Sequence, residues 1–281
     1  MKTKVRKLSI VDIITNKKDL LWGKEYFGQF QKSKLVNYLV FGKYLGIRNI
    51  IEIYDTDTCS RDLIDDFVNY YSKKTKYFVR ELDELRDFKA IEVMREAGFL
   101  RYNRNYCFDF HAQNSQVSKD KVNNVYCRGI ERADFSSIAD FDRDCQILEY
   151  RDLLYRNKSF FKNHVDDVFI FTQTQNLSNT VAYAIKRDVK DKSVFEIILN
   201  PNQSELIHDC IQAFAETYVF FENFDDNFYF IVNENLKNEI EQLKKTYEMV
   251  WSSQMLIKEG NPKVKTGLAQ RGLNLAMKKT T

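Results

Sequence analysis

The sequence predicts an α/β chain with a mixed sheet, built as two similar halves in tandem. Three observations predict it. Strand-like and helix-like runs alternate along the whole chain. The succession strand, polar turn, helix, strand closes both halves, as KYFVRELDELRDFKAIEVMREAGFLRYNRNYCFDF (76–110) and as NFYFIVNENLKNEIEQLKKTYEMVWSSQMLIK (227–258). A polar window, AQNSQVSKDKVNN, separates the halves with only two Val and the character of an interdomain linker. The expected organisation is an N-terminal domain at 1–111, a linker at 112–124, a C-terminal domain at 125–258 and a basic tail at 259–281.

In the first half, Lys4–Leu8 reads as a strand, and Ser9 as the cap of a helix with Ile10, Ile13 and Ile14 on one face. Residues 34–46 are apolar and fit either helix or strand, while Asn49–Tyr54 reads as a buried strand. Arg61–Lys73 is a helix with Leu63, Ile64, Phe67, Val68 and Tyr71 on one stripe. Tyr77–Leu82 is a strand, and Asp87–Ala97 is a helix with Phe88, Ile91, Met94 and Ala97 inward, stopped by Gly98. Phe99–His111 alternates as a long strand.

The second half repeats the order. Val125–Arg128 hands over to a helix from about Asp134 to Tyr155. Strands follow at Val168–Thr172, Thr180–Lys186 and Val194–Leu199. A helix from Gln203 to Val219 sets Leu206, Cys210, Ile211, Phe214 and Tyr218 in register. Asn227–Val232 is a strand, Asn235–Tyr247 a helix, and Val250–Ile257 the closing strand.

Nine Gly and two Pro, where average usage would supply about 20 and about 14, limit the chemistry. Phosphate cradles need closely spaced Gly so that backbone N–H groups reach the oxygens without a Cβ in the way. No GxxxxGK[ST] and no GxGxxG is present, which excludes a P-loop NTPase and a standard dinucleotide-binding dehydrogenase. The formal charge of +3 is uneven: Lys2, Lys4, Arg6 and Lys7 open the chain, and six basic residues against Glu259 close it from Lys258 onward. The body between is mildly acidic, which argues against a nucleic-acid partner. Cys59, Cys107, Cys127, Cys145 and Cys210 are odd in number and widely spaced, which predicts free thiols in a reducing, cytoplasmic compartment. No stretch reaches the roughly 18 apolar residues of a membrane span.

DFKAIEVMREAGF, Asp87 to Phe99, resembles the last helix of the GNAT N-acetyltransferase superfamily, through Ala90, Ile91, Val93, Gly98 and Phe99. Its recurrence in kind at the end of each half makes the chain similar to tandem GNAT proteins over nearly its whole length. The resemblance implies an acetyl-CoA pyrophosphate loop, rich in Gly, before the helix that follows each central strand. Those junctions are YDTDTCSRDL (54–63) and LNPNQSEL (199–206), and neither contains Gly. It also implies a helix Tyr that protonates the departing thiolate. That position falls at Met94 in the first half and near Leu243 in the second, and neither side chain transfers a proton.

The family's strand base has two candidates, Glu52 in IIEIY and Glu196 in VFEII, each among apolar neighbours where burial raises a carboxyl pKa. The alternative for both is a Glu on the wet face of a half-covered sheet. If cofactor binds, the loop positions that meet it are Thr58, Ser60, Arg61, Gln203 and Ser204. His208 and Cys210 lie about 200° apart on a helix, which argues against a shared metal or a Cys–His pair. Tyr70, Tyr71 and Tyr77 interleave with Lys73, Lys74 and Lys76, as a stacking surface or as ordinary core. The tail sets Leu268, Leu273, Leu275 and Met277 among basic residues, either disordered or ordering on a protein partner. The expected function is a catalytically degenerate tandem GNAT-like binding subunit with no cofactor. The alternative is an acetyl-CoA-dependent N-acyltransferase of unknown acceptor.

Overall fold

A capped strand end starts each half of the computed structural model, which describes residues 4–16, 24–44, 49–56, 60–111, 124–144, 165–173, 179–189, 192–222 and 227–261. In the first half, β1 (Lys4–Lys7) leads to Ser9, whose side chain accepts from the Asp12 N–H while the Asp12 carboxylate accepts from the Ser9 N–H. This capping box opens α1 (Ile10–Thr15). Only Ile13 is buried there; Ile10 and Ile14, expected beside it, are exposed, because six residues make too short a helix to bury three apolar positions.

β2 (Glu25–Gln31) and β3 (Lys34–Lys43) form a hairpin turning at Lys32 and Ser33, both at positive φ (48° and 67°), which matches the twist of the flanking strands. The segment that fitted either helix or strand is therefore a strand over Lys34–Lys43, paired on both sides by β2 and β4 (Ile50–Thr56). Then come α2 (Arg61–Tyr71), β5 (Tyr77–Asp83), α3 (Phe88–Glu96) and β6 (Leu100–His111). Gly98, at φ +81°, ends α3: its N–H bonds Arg95 O, and the Phe99 N–H bonds Met94 O. Phe88, placed inward from the sequence, is exposed at the first turn of α3.

The second half follows the same plan: β7 (Tyr126–Gly129), α4 (Phe135–Asp144), β8 (Val168–Thr172), β9 (Thr180–Val189) and β10 (Lys192–Leu199). α5 (Ile207–Glu222), β11 (Asn227–Asn233), α6 (Lys237–Thr246) and β12 (Glu248–Glu259) complete it. The continuation of the helix expected to Tyr155 lies outside the described residues, as do residues 112–123 of the expected linker. The helix expected from Gln203 starts at Ile207. Pro201–Leu206 is a 3-10 turn, kinked at Gln203 (φ −130°, ψ 31°).

The described strands form one twelve-stranded sheet, in the order β1-β2-β3-β4-β5-β12-β6-β11-β10-β9-β8-β7. Each half contributes a parallel pair, β4 with β5 and β10 with β11, in otherwise antiparallel surroundings. The halves exchange their last strands: β12 pairs β5 of the first half, β6 pairs β11 of the second, and β6 and β12 pair with each other at the centre. Gly260 fixes the end of β12 against the first half, because a Cβ there would sit 2.0 Å from Thr75 O.

Three large cores follow from this sheet. One lies under α2 and α3, with Phe27, Phe41, Ile53, Phe67, Phe78 and Leu256. A second lies under α5 and α6, with Phe108, Phe195, Phe214, Phe228 and Phe230. The third joins the halves, running from Tyr44, Ile50, Tyr77 and Val79 to Ile138, Phe141, Tyr183 and Ile198. Of the three tyrosines interleaved with lysines, Tyr71 packs on Phe41 and Phe67 and Tyr77 is buried, while Tyr70 is exposed.

Candidate functional site

Both parallel pairs stop after three rungs. β4 and β5 pair from Ile50↔Tyr77 to Glu52↔Val79, yet the strands continue to Thr56 and Asp83. β10 and β11 pair from Val194↔Tyr229 to Glu196↔Ile231 and continue to Leu199 and Asn233. Glu52 and Glu196 thus occupy the same place in the two halves, the last paired rung before the strands part. Strand alternation puts Glu52 on the face of Ile50 and Tyr54, opposite Ile53, which packs under α2.

The surroundings of the two carboxylates differ. Glu196 is buried, and Arg187 Nη1 donates to its Oε2 at 2.9 Å. Arg187 sits on β9, two residues off the Glu196↔Ile185 rung. Its other arm donates from Nη2 to Glu81 Oε2 on β5 at 2.6 Å, so one guanidinium with 5% of its side chain exposed joins the two halves. Glu81 Oε1 accepts from Asn105 Nδ2 at 3.0 Å and from Ser253 Oγ at 2.5 Å, which ties β6 and β12 into the same network. Burial alone would raise the Glu81 pKa; Arg187 and these hydrogen bonds outweigh it and hold the carboxyl below the usual range.

Glu52 is half-buried and accepts a hydrogen bond from the Tyr54 hydroxyl. Its desolvation pushes the carboxyl above the usual range, against the opposing pull of Arg187 and Tyr54 and with the repulsion of Glu81. Tyr54 is itself pushed well up by burial and by Glu52, so it stays a neutral donor. Lys24 Nζ lies 3.3 Å from the Tyr54 ring centroid, completing a cationic edge to the site.

The loop positions also diverge. Thr58 lies outside the described residues. Ser60 is the N-cap of α2 with no side-chain hydrogen bond to the helix, and Arg61 makes an exposed pair with Asp65 at 3.4 Å. In the second half, Gln203 sits at the kink of the 3-10 turn and Ser204 Oγ donates to Glu239 Oε1 of α6 at 2.5 Å. Met94 and Leu243, the positions where the resemblance leads one to expect a proton donor, are both fully buried in their cores. Tyr247, the C-cap of α6, packs against Phe110 and Phe230. His208 stacks on Tyr247, and no group of three or more metal-ligating side chains occurs among the described residues.

Sequence reasoning singled out the two Glu positions as candidates and did not single out Arg187 and Glu81, which set their environment. The nine-residue separation of Arg187 and Glu196 across a hairpin was the one local signal.

The fold is that of tandem GNAT proteins. A tandem GNAT protein from the clavulanic acid biosynthesis pathway superposes with a TM-score of 0.50 at 8% identity, over 90% of this chain and 88% of that one. A GCN5-related glucosamine N-acetyltransferase region of a fungal multi-domain GH3 β-N-acetylglucosaminidase gives 0.54 at 11% identity, over 92% of this chain and 38% of that one. A GCN5-related N-acetyltransferase from Sphaerobacter thermophilus gives 0.49 at 8% identity, over 89% of this chain and 85% of that one. No family sequence model matches the chain, and no curated protein sequence matches it. No helix among the described residues is long and apolar enough to cross a membrane.

Proposed function

We propose that this chain is an acyl-CoA-dependent N-acyltransferase with a single working site, in the N-terminal half, and that the C-terminal half is catalytically degenerate. The observation that carries this reading is the contrast between the two equivalent carboxylates. Glu196 is committed to Arg187, whereas Glu52 is half-buried and desolvation raises its proton affinity above the usual carboxylate range, the direction a general base needs. The parted inner edges of β4 and β5 beyond Glu52 suit an extended, amide-bearing arm such as that of an acyl-CoA, which pairs with free backbone groups. The Ser60 end of α2 adds free N–H groups for an anion. The second half offers less: its helix begins behind a proline-led 3-10 turn, and Ser204 is tied to Glu239.

In the proposed reaction the acceptor nitrogen forms a bond to the thioester carbonyl carbon. Glu52 takes the nitrogen's proton, and the carbon–sulfur bond breaks to release a thiolate. With Met94 at the acid's place, solvent protonates that thiolate. A thiol is acidic enough for its thiolate to leave unprotonated (a free cysteine has a pKa of about 8.5), so the missing acid lowers the rate without forbidding the step.

A second reading, a wholly degenerate binding subunit that engages a protein partner through the basic tail at 259–281, is favoured by the buried Met94 and Leu243 and the absence of Gly at both junctions. Titration calorimetry with acetyl-CoA separates the two. One site per chain at micromolar concentration supports the single-site enzyme, and no heat at millimolar concentration overturns it in favour of the binding subunit. Deleting 261–281 then tests whether the tail captures the partner.

A further inference from the structure

We infer that Arg187, carried by the C-terminal half, is a positioning residue for the N-terminal site: with Glu81 and Glu196 it forms a charge latch between the halves that sets the protonation of Glu52. This inference rests on the proposed role of Glu52 as base.

The geometry gives three carboxylates and one guanidinium. Arg187 is bonded at 2.6 Å to Glu81 on β5 and at 2.9 Å to Glu196 on β10. Glu81 lies two residues along β5 from Val79, the rung partner of Glu52, and on the same face. The charged and titratable groups facing Glu52 are Tyr54 on its own strand, Lys24 ahead of β2, Glu81 on β5 and Arg187 on β9. Arg187 and Lys24 favour the carboxylate, and Glu81 favours the acid. Each is held: Glu81 by Ser253 and Asn105, Arg187 by two buried carboxylates, Lys24 over the Tyr54 ring.

Glu196 has a particular part in this arrangement. It occupies the rung that Glu52 occupies in the other half, yet acts as counter-ion to the arginine that the first half feels. The duplicated base position has thus become an element of the other half's site. Because Glu196 neutralises part of Arg187, removing the Glu196 charge and removing the Arg187 charge must act on Glu52 with opposite signs. A scaffold that merely holds the strands together predicts no such opposition.

The test is a carbon-13 NMR titration of the full chain labelled at the glutamate carboxyls, with the Glu52 resonance assigned by its loss in Glu52→Gln. Arg187→Met is expected to raise the Glu52 midpoint by about one pH unit or more. Glu196→Gln, nearly isosteric, is expected to lower it, and Arg187→Lys to keep it near the starting value. Shifts of the same sign in Arg187→Met and Glu196→Gln, or no shift in either, overturn the latch. Where Arg187→Met fails to fold, the sign in Glu196→Gln decides alone: downward supports the latch, upward or absent overturns it. Acetyl-CoA turnover is followed separately. Opposed midpoint shifts in a chain that neither binds nor turns over acetyl-CoA overturn the acyl-transfer reading and not the latch. An unmoved midpoint in a chain that acetylates overturns only the latch.

Discussion

The last paired rung of β4 and the last paired rung of β10 carry the same residue, yet the two have different chemistry. Glu52 keeps partial access to solvent and a neutral neighbour, Tyr54; Glu196 is buried on an arginine. Strand position alone therefore does not make a base. What separates the two is whether a fixed cation sits within hydrogen-bond reach, because a partnered carboxylate has already given its lone pairs away.

The largest expected effect breaks this comparison if it fails. Glu52→Gln should lower kcat/KM for amine acylation by roughly 100-fold to 10,000-fold, as loss of a general base does. Glu196→Gln should retain activity. The two are compared by thiol release from acetyl-CoA with a small primary amine; equal losses, or loss only in Glu196→Gln, would reverse the assignment of the halves. The wild-type rate should climb with pH through the raised Glu52 pKa, because only the deprotonated carboxylate accepts a proton.

Next in size is the ion network itself. Arg187→Met strands the buried Glu81 and Glu196 carboxylates and should destabilise the chain by about 3–5 kcal/mol, read by urea unfolding at pH 7. Adding Glu81→Gln and Glu196→Gln should recover most of that loss, since a buried ion pair is worth little against a neutral replacement. The pH dependence has a definite sign. The folded Glu81 pKa lies below its unfolded value, so its contribution is present above the ordinary carboxylate pKa of about 4.3 and is lost as pH falls through the folded value. In Arg187→Met the burial of Glu81 is unopposed, its folded pKa lies above the unfolded one, and stability should instead grow as pH falls.

Much of this architecture is legible in the sequence, and the illegible part has physical reasons. Local signals did well: the Ser9 cap, Gly98 at positive φ, and the apolar stripes of α2 and α5 depend only on neighbours within a few residues. β2 was missed because EYFGQFQ is short, polar at both ends and interrupted by Gly28. The exchange of β6 and β12 leaves no trace, since either strand completes either sheet with the same alternation. Glu52 and Glu196 stand out as candidates from their apolar strand context, but the difference between them does not. The groups that create it, Arg187 and Glu81, are 106 residues apart and meet only when the halves pack.

The openings of the halves sharpen the same lesson on a smaller scale, through a motif that did repeat intact. Arg6 and Asp12 form a two-pronged pair at 2.5 and 2.6 Å, and Arg128 and Asp134 form its copy at 2.8 and 2.7 Å, each six residues apart. In both, the Asp also accepts a backbone N–H three residues back, from Ser9 or Glu131. Both Asp pKa values are lowered, chiefly by the arginine for Asp12 and, for Asp134, by Arg128 and the Glu131 N–H against an opposing burial. Their settings differ, with side-chain exposures of 17% for Asp12 and 3% for Asp134. Asp134→Ala should therefore cost about 2–3 kcal/mol, from the lost charge-assisted pair of a buried carboxylate and the lost acceptor of the Glu131 N–H. Asp134→Asn should flatten the fall in stability below about pH 3.9, where the wild type loses this contribution. Asp12→Ala should cost only about 1 kcal/mol, from the return bond of the capping box and a more exposed ion pair with Arg6. Raising the salt from 0.05 to about 1 M should erode the Asp12 difference more than the Asp134 one, since exposed pairs are screened and buried ones much less. Equal costs and equal salt dependence, measured by urea unfolding, would mean that burial does not separate these copies. The contrast between Glu52 and Glu196 would then need a cause other than environment.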